Sequence, residues 1–295
     1  MKTWAVILCA VGLLLVFAVA VTAADNPALS FSFTTVNVPG AQQTEGWGIN
    51  NAGVMVGWYI DSAGMNHGYI LNGKKLTTLD DPNGLAGSTR GSNLNPDGAI
   101  SVVGYYYNTI GNVVGFLYKG GKFTDVPGPK GAVNTYASAI NDSGAIVGSY
   151  SDLGGYWHGF VLKDKKYTTL DVPGASGSVA TGINKSGQIT LFWFDSNGAD
   201  ESSLYNGTTY KTINVPGASD SLASDLDAAG DVCYQWYDSN SVSHGALLHG
   251  GKYYKFDYPE SVATYGGGIN DKSNIIGGYQ TSTFGAWSAF KATYK

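Results

Sequence analysis

From residue 31 to the C-terminus, short apolar and aromatic runs alternate with polar segments rich in glycine, asparagine and aspartate. Runs such as AIVGSY and HGFVLK, within residues 137–175, are too short for a helix, and no later segment keeps a 3.6-residue apolar period. Asn-Gly and Gly-Gly pairs, as at Asn72 and Gly120, separate many of these runs. The pattern therefore predicts short antiparallel strands and no substantial helix.

The strands belong to a unit that recurs six times. An anchor residue precedes a turn in each copy, and the anchors are Asn50, Asn95, Asn141, Asn184, Asp227 and Asn270. Their spacings are 45, 46, 43, 43 and 43 residues. A proline marks the other end of each copy: Pro39, Pro82, Pro127, Pro173, Pro216 and Pro259. Each copy reads as four strands, and the small side chains of the first strand suit a crowded central channel.

An antiparallel four-stranded unit of this length is typical of a β-propeller blade. The last copy stops after its third strand, AWSAFKATYK, and the first copy is preceded by an unpaired strand, FSFTTVNVPG. Pairing these two segments completes the sixth blade and leaves no free sheet edge. The sequence predicts an all-β fold: a six-bladed β-propeller forming a single domain over residues 31–295. An open β-solenoid is the alternative.

The first residues, MKTWAVILCAVGLLLVFAVAVTAADNP, combine one lysine, a long apolar run and small residues before Asp25. This layout is typical of a secretory signal peptide over residues 1–24, followed by a short linker over residues 25–30. The length of the apolar run leaves a retained membrane anchor as the alternative. We expect a secreted or periplasmic protein without membrane contact after cleavage of the signal peptide.

Composition narrows the range of partners and cofactors. The formal net charge is -5 and Arg90 is the one arginine of the chain, which argues against a nucleic-acid partner. After removal of the signal peptide, Cys233 is the remaining cysteine, which excludes an internal disulfide and a thiolate metal cluster. We expect no cofactor and a monomeric protein.

The copies share a segment of the form IN..G.IVG.Y, which a histidine-containing triplet follows at His67, His158 and His244. The triplet is degenerate at residues 114–116 and 288–290 and absent from the fourth copy. In these features the chain resembles the HAF-repeat family of extracellular bacterial proteins, over essentially its whole length after the signal peptide. The resemblance implies export and repeat architecture, and it supplies no catalytic residues.

One position is aromatic in every copy, at Tyr59, Tyr106, Tyr150, Trp193, Trp236 and Tyr279. Such regular recurrence favours packing between blades over contact with a single ligand. More variable positions on the loop-bearing face are better candidates for stacking on sugar rings, which match amphipathic aromatic side chains. We assign the candidate ligand-binding residues as Trp47, Trp58, Tyr105, Asp152, Tyr156, Trp157, His158, Tyr237 and Trp287.

Acidic residues follow the recurrent aromatic position, and they favour Asx turns at the start of the next loop. Three of them can contact a histidine across the same loop, in the pairs Asp61–His67, Asp152–His158 and Asp238–His244. The three histidines open outer strands of alternate blades, so they lie too far apart to share one zinc ion. We expect no metal site and assign no catalytic residue.

These features favour a non-catalytic binding module, with an extracellular glycan or a cell-surface protein as its partner. A hydrolase or lyase with a site at the mouth of the central channel is the alternative, and a structural cell-surface scaffold is a second one. An enzyme would bring acids or histidines of different blades within hydrogen-bond reach, whereas a binding module would cluster accessible aromatic side chains.

Overall fold

A computed structural model describes residues 29–295 of the chain, so the predicted signal peptide lies outside the described residues. Twenty-four strands form six four-stranded antiparallel sheets, whose innermost strands contact one another in a closed ring. The predicted six-bladed β-propeller is therefore confirmed. Between residues 29 and 295, no helix is long and apolar enough to cross a membrane.

Blades 1 to 3 each run outward from the central channel in chain order. Blade 1 comprises β2 (Gln43–Ile49), β3 (Met55–Ile60), β4 (Asn66–Asn72) and β5 (Lys75–Leu79). Blade 2 comprises β6 (Arg90–Leu94), β7 (Ser101–Tyr107), β8 (Val113–Lys119) and β9 (Lys122–Val126). Blade 3 comprises β10 (Asn134–Ile140), β11 (Ile146–Ser151), β12 (Trp157–Lys163) and β13 (Lys166–Leu170).

Blades 4 and 5 repeat this order, and blade 6 borrows its outer strand from the N-terminal end. Blade 4 comprises β14 (Gly177–Ile183), β15 (Ile189–Phe194), β16 (Asp200–Tyr205) and β17 (Tyr210–Thr212). Blade 5 comprises β18 (Asp220–Leu226), β19 (Val232–Tyr237), β20 (Ser243–His249) and β21 (Lys252–Phe256). Blade 6 comprises β22 (Ala263–Asn270), β23 (Asn274–Gln280), β24 (Ser288–Tyr294) and β1 (Phe31–Thr35).

Pairing of β1 with β24 closes the ring. The strands are antiparallel, with Phe31 opposite Tyr294 and Thr35 opposite Phe290. The Phe33 ring adds side-chain contacts, since its centroid lies 5.3 Å from that of Phe290 and 5.5 Å from that of Tyr258. The predicted completion of the last blade by the N-terminal strand is thus confirmed.

Each innermost strand contains one β-bulge at the same place. The extra residues of these bulges are Trp47, Ser92, Ser138, Thr181, Ser224 and Gly267. A bulge leaves one residue outside the ladder and re-aims its side chain. Glycines beside the bulges allow neighbouring blades to approach closely: a Cβ on Gly268 would lie 2.6 Å from the carbonyl oxygen of Trp47.

The apolar core lies mainly between neighbouring blades. One cluster joins Val56 and Leu79 of blade 1 to Val102 and Phe116 of blade 2. Further clusters lie between the other neighbouring blades, including one that places Ile276 of blade 6 against Ile49 of blade 1. Since each blade buries its apolar faces against two neighbours, the ring holds the first strands at fixed positions around the channel.

The six anchor residues lie on one face of the ring, which we call the anchor face. In five of them the side-chain Oδ1 accepts backbone N–H groups two and four residues later, as at Asn50. The Nδ2 groups of Asn141 and Asn184 donate to the carbonyl oxygens of the next anchors, Asn184 and Asp227. The recurrent asparagine therefore both shapes a turn and ties one blade to the next.

Candidate binding site

The opposite face carries the loops between second and third strands and the linkers between blades; we call it the loop face. In five blades the loop between the second and third strands begins with an aspartate or asparagine whose Oδ1 accepts backbone N–H groups two and four residues later. These residues are Asp61, Asn108, Asp152, Asp195 and Asp238. The predicted Asx turns are confirmed. Hydrogen bonds from the backbone, with that from Tyr156 the strongest influence, hold the pKa of Asp152 below its usual value.

A cavity of about 640 Å³ opens on the loop face, and blades 1 to 4 supply its lining. The bulge residues of these four blades, Trp47, Ser92, Ser138 and Thr181, all belong to its wall. Its volume lies in the range typical of small-molecule sites. The cavity is off-centre in the ring, because none of its lining comes from blades 5 and 6.

Five side chains of blades 1 to 3 form a continuous wall, which we call the aromatic arc: Trp58, Arg90, Tyr105, Tyr136 and Trp157. The guanidinium carbon of Arg90 lies 4.3 Å from the ring centroid of Trp58, and its Nη1 lies 3.4 Å from the Tyr105 hydroxyl. Ring centroids are 4.7 Å apart for Tyr105 and Tyr136, and 5.5 Å apart for Tyr136 and Trp157.

Strand geometry explains how these side chains meet. Tyr105 and Trp58 lie near the loop-face ends of second strands, whereas Arg90 and Tyr136 lie on the first halves of innermost strands. Trp157 opens a third strand and points toward Tyr136. The arc thus crosses three blades, and its members are half-buried and accessible to a ligand.

Two phenol groups add hydrogen-bonding capacity to the arc. Burial raises the pKa of Tyr136 to about 12, and burial also raises the pKa of Tyr105 despite the opposing effect of Arg90. Both hydroxyls therefore stay protonated at neutral pH and can donate hydrogen bonds. Ser138 and Thr181 contribute further hydroxyl groups to the lining. The cavity wall therefore combines flat apolar surfaces with several small polar groups.

Glu45 lies in the same wall and is almost fully buried. Its Oε1 accepts from Gln43 at 2.7 Å, and its Oε2 accepts from Trp47 Nε1 at 3.3 Å and from the Tyr265 hydroxyl at 3.2 Å. Burial raises its pKa to about 6 against the lowering effect of these bonds. Trp47 stacks on Tyr265 at a centroid distance of 4.9 Å, so Glu45 fixes the orientation of both rings.

The structure brings four of the nine predicted ligand-binding residues together in the cavity: Trp47, Trp58, Tyr105 and Trp157. The other five lie elsewhere on the same face. Tyr156 is 64% exposed at the tip of its loop, outside the lining. Tyr237 accepts a hydrogen bond from Gln235, and Trp287 packs edge-on against Tyr265 at 5.1 Å.

Asp152 and His158, the remaining two, belong to an arrangement that recurs in blades 1, 3 and 5. The predicted contact exists, with 3.7 Å between His158 Nε2 and Asp152 Oδ2. A second carboxylate was missed: Asp171, thirteen residues after the histidine, lies 3.1 Å from His158 Nδ1. The imidazole also stacks on Tyr150 at 5.0 Å. Blades 1 and 5 repeat both contacts and the stacking around His67 and His244.

These histidine clusters lie on separate blades, and none of them lines the cavity. Among residues 29–295, no group of three or more His, Cys, Asp or Glu side chains is arranged to hold a metal ion. Each imidazole instead ties the start of its third strand to the loop before it and to the strand after it. These contacts account for the histidine clusters as structural ties of the loop.

The recurrent aromatic position packs largely as the sequence indicates. Tyr106, Trp236 and Tyr279 belong to hydrophobic clusters between neighbouring blades, and Tyr150 and Trp193 pack against two others. Tyr59 differs, because its contacts with His67 and Thr78 lie within its own blade. None of the six lines the cavity.

Acids of different blades do meet on the loop face, at the junction of blades 4 and 5. The backbone N–H of Asp200 donates to Asp220 Oδ1 at 3.1 Å. Burial, together with the charge of Asp220, raises the pKa of Asp200 to about 6. Neither residue lines the cavity, so the described lining does not contain the carboxylate pair that an enzyme at the channel mouth would need.

The anchor face holds a second, smaller cavity of about 120 Å³ with several aspartates in its wall. These acids are used as ties between blades. Asn51 donates to Asp97 and to Asp271, and the backbone N–H of Asp97 donates to Asp142. Each of these three aspartates has an oxygen engaged in a tie between blades, and we assign no ligand to that mouth.

Sequence reasoning missed much of the cavity wall: Glu45, Arg90, Tyr136, Val179, Phe192 and Phe194. The sequence did contain a feature that could have marked Arg90, because a single arginine in a chain with few charged residues is unusual. Tyr136 had a weaker one, because a bulky aromatic interrupts an otherwise small first strand in NTYASAI. The two phenylalanines flank the recurrent aromatic Trp193 and could have been found from the two-residue period of a strand.

No protein-family model matches the chain, and no curated protein matches it either. Solved structures do. A SapL1 lectin in complex with alpha methyl fucoside has a TM-score of 0.55 at 12% identity, covering 85% of this chain and 94% of that chain. AofleA from Arthrobotrys oligospora has a TM-score of 0.52 at 10% identity, covering 90% of this chain and 92% of that chain.

A Trypanosoma rangeli sialidase, in complex with 2,3-difluorosialic acid, has a TM-score of 0.55 at 8% identity. The match covers 89% of this chain but 58% of the sialidase. At these identities the likenesses establish the fold alone. Fold and geometry together define a six-bladed β-propeller with an aromatic-lined cavity at the loop-face mouth of its channel. The HAF-repeat assignment stays a prediction.

Proposed function

We propose that this protein is a non-catalytic glycan-binding propeller that takes up a sugar residue in the loop-face cavity. The aromatic arc carries the proposal. Sugar rings present flat C–H surfaces that stack on aromatic faces, and their hydroxyls need nearby hydrogen-bond partners. The arc offers Trp58 and Trp157 as stacking surfaces and the phenols of Tyr105 and Tyr136 as donors.

The dimensions of the cavity support a short oligosaccharide rather than a protein partner. About 640 Å³ accommodates a ligand of small-molecule size, and the concave wall would enclose it on the side of blades 1 to 4. The SapL1 lectin structure, a propeller of similar fold, holds alpha methyl fucoside, so this architecture is compatible with sugar binding. The alternative of a hydrolase or lyase is not favoured, because the cavity lacks converging acids.

Glycan-array binding of the protein from residue 25 onward, compared with Trp157→Ala and Tyr156→Ala, tests the proposal. The two residues are neighbours, but Trp157 belongs to the aromatic arc whereas Tyr156 is exposed outside the cavity. We expect Trp157→Ala to weaken binding at least tenfold and Tyr156→Ala to leave it within twofold. Equal effects of the two substitutions, or no carbohydrate bound by the unmodified protein, would contradict the proposal.

Export is part of the proposal and rests on the N-terminal sequence. Residues 1–24 have the pattern of a signal peptide and lie outside the described residues. Mass spectrometry of the protein recovered from a secreting host checks it: a mature N-terminus near Ala23–Asp25 is expected. Recovery of the full-length chain in the membrane fraction would favour the retained anchor instead.

A further inference from the structure

Arg90 differs from the other members of the aromatic arc because it carries a full charge. Its side chain is half-buried over the Trp58 ring, at 4.3 Å. Its Nη1 and Nη2 groups lie 3.4 Å from the Tyr105 hydroxyl and from Asn66 Oδ1. Charge-assisted hydrogen bonds of arginine are normally near 2.8 Å. The guanidinium is therefore held in place by stacking while much of its donor capacity remains unused.

The Nε–H of Arg90 is buried and has no hydrogen-bond partner among residues 29–295. The ion pairs within 4 Å in that part of the chain all involve histidine, and none includes Arg90. Glu45, the acid of the same wall, directs its oxygens to Gln43, Trp47 and Tyr265. Among residues 29–295, the partly desolvated cation therefore has no carboxylate within 4 Å, although the charge of Glu45 attracts it from a longer distance. A buried charge whose donors lack close partners is unfavourable in the unliganded protein.

An anionic ligand would satisfy this site. The planar guanidinium fork matches a carboxylate, which it binds through two parallel hydrogen bonds. The neighbouring rings of Trp58 and Tyr105 require a flat or amphipathic body attached to that anion. A pyranose ring that bears a carboxylate combines the two features in one residue.

Building on the glycan-binding function above, we propose that the cavity selects a carboxylated sugar of the uronic acid type, whose carboxylate binds Arg90. In this arrangement the sugar ring stacks along the aromatic arc. A neutral sugar of the same shape would leave the guanidinium without a carboxylate at hydrogen-bond distance. Sites built around a buried polar group reject analogues that lack its partner strongly, so discrimination should be large.

Calorimetric titration with matched trisaccharides tests the proposal. The probes are trigalacturonate, trimannuronate and a glucuronate-containing trisaccharide, each paired with its carboxyl-reduced, neutral form. We expect at least one acidic member to bind ten or more times as tightly as its neutral partner, with affinity that falls as salt is raised. A sulfated neutral trisaccharide is the third arm. If it binds as tightly as the best uronate, the carboxylate assignment is wrong.

Substitutions at Arg90 identify the group responsible. Arg90→Gln should abolish the preference for the acidic trisaccharide, so that the affinities for the acidic and neutral forms come within twofold of each other. Arg90→Lys retains the charge without the planar fork and should lose most of the preference. Because the readout is a ratio of two affinities, a general loss of cavity structure would lower both values and would not imitate this result.

The outcomes separate this inference from the function on which it rests. If neutral and acidic trisaccharides bind equally and Trp157→Ala weakens both, the glycan-binding function holds and the uronate inference is wrong. A preference that survives in Arg90→Gln also overturns the inference. If no member of a glycan array or of the trisaccharide set binds, both proposals fail.

Discussion

The Nδ2 group of Asn270 donates a hydrogen bond of 2.8 Å to the carbonyl oxygen of Asn50, so the last anchor is tied to the first. The link is buried and joins residues that are 220 positions apart in the chain. The pairing of β1 with β24 completes blade 6, and this hydrogen bond joins blade 6 to blade 1 on the anchor face. Only an amide side chain can make this link while its oxygen also accepts from the turn, at Lys272 and Asn274.

Asn270→Asp should therefore weaken ring closure. An ionised carboxylate keeps the acceptor for the turn but cannot donate, and it faces a carbonyl oxygen at hydrogen-bond distance. We expect a loss of about 1–3 kcal/mol in the free energy of unfolding, the usual cost of a buried hydrogen bond replaced by an unpaired group. Urea unfolding at pH 8 measures it.

Asn206→Asp is the matched control for this substitution. Asn206 is exposed, and its Oδ1 accepts from Thr208 and Thr209. An aspartate can preserve both bonds, so stability should change by less than about 0.5 kcal/mol. A similar loss in the two variants would show that added negative charge, rather than the lost donor, is responsible.

The protein should become more stable as pH falls from about 7 to about 5. Burial raises the pKa of Asp225 to about 7, and burial is also the main reason that the pKa values of Glu45 and Asp227 rise to about 6. The folded protein then binds more protons than the unfolded chain in this window. Unfolding free energy therefore decreases as pH rises through these folded-state values.

Asp225→Asn should flatten this pH dependence. Asp225 is buried, and its Oδ2 accepts from Asn93 and from the backbone N–H of Ile269. The amide oxygen of an asparagine can accept both of these hydrogen bonds. Thermal unfolding between pH 4.5 and 8 measures the slope. Asp195→Asn is the control, because hydrogen bonds from the backbone, led by that from Ala199, hold the pKa of this carboxylate below its usual value and so below the window. An unchanged slope in Asp225→Asn would refute the assignment.

Filling the cavity from a bulge position should block ligand binding without unfolding the protein. Ser138 is the extra residue of the blade 3 bulge and lines the cavity. Ser138→Phe should weaken glycan binding at least tenfold, while the melting temperature shifts by only a few degrees. Ser224 occupies the equivalent bulge of blade 5 but is not part of the lining, so Ser224→Phe should bind normally. Loss of binding in both variants would point to general distortion of the channel.

The borrowed strand β1 should contribute strongly to stability through Phe33. Its ring contacts those of Phe290, Tyr258 and Phe256, with centroid distances between 5.3 and 6.2 Å. Phe33→Ala should lower the unfolding free energy by about 2–3 kcal/mol, somewhat below the value for a fully buried phenylalanine. Thr34→Ala, an exposed change on the same strand, should be nearly neutral. Chemical denaturation compares the two, and equal stabilities would show that β1 is held by its backbone alone.

The fold followed from the sequence because five of the six units repeat the same turn chemistry. Regular anchor spacing sets the blade number, and the unpaired segment around Phe33 predicts the closure. The cavity did not follow from the sequence. Its wall depends on the bulges, which place Trp47 and Ser138 outside the two-residue alternation from which strand faces are read.

Two neighbouring residues illustrate the same limit. Tyr156 and Trp157 form a distinctive aromatic pair in the sequence, but the structure places their side chains in different surroundings. Trp157 begins β12 and joins the cavity wall, whereas Tyr156 remains in the exposed loop. Likewise, the pairing of the third and fourth strands places the second aspartate beside each histidine. Local sequence spacing did not predict this contact.

The bulges also divide the residues of each innermost strand into two groups, the paired residues and the extra residue. Paired residues of each innermost strand determine how the blades assemble, and altering them would shift cross-strand neighbours. The extra residue has no such partner, so its side chain can change while every pairing is kept. A set of related chains could therefore diversify in what they recognise by exchanging the bulge residues of blades 1 to 4, which line the cavity, and the same four positions offer a small combinatorial library for redirecting specificity by design.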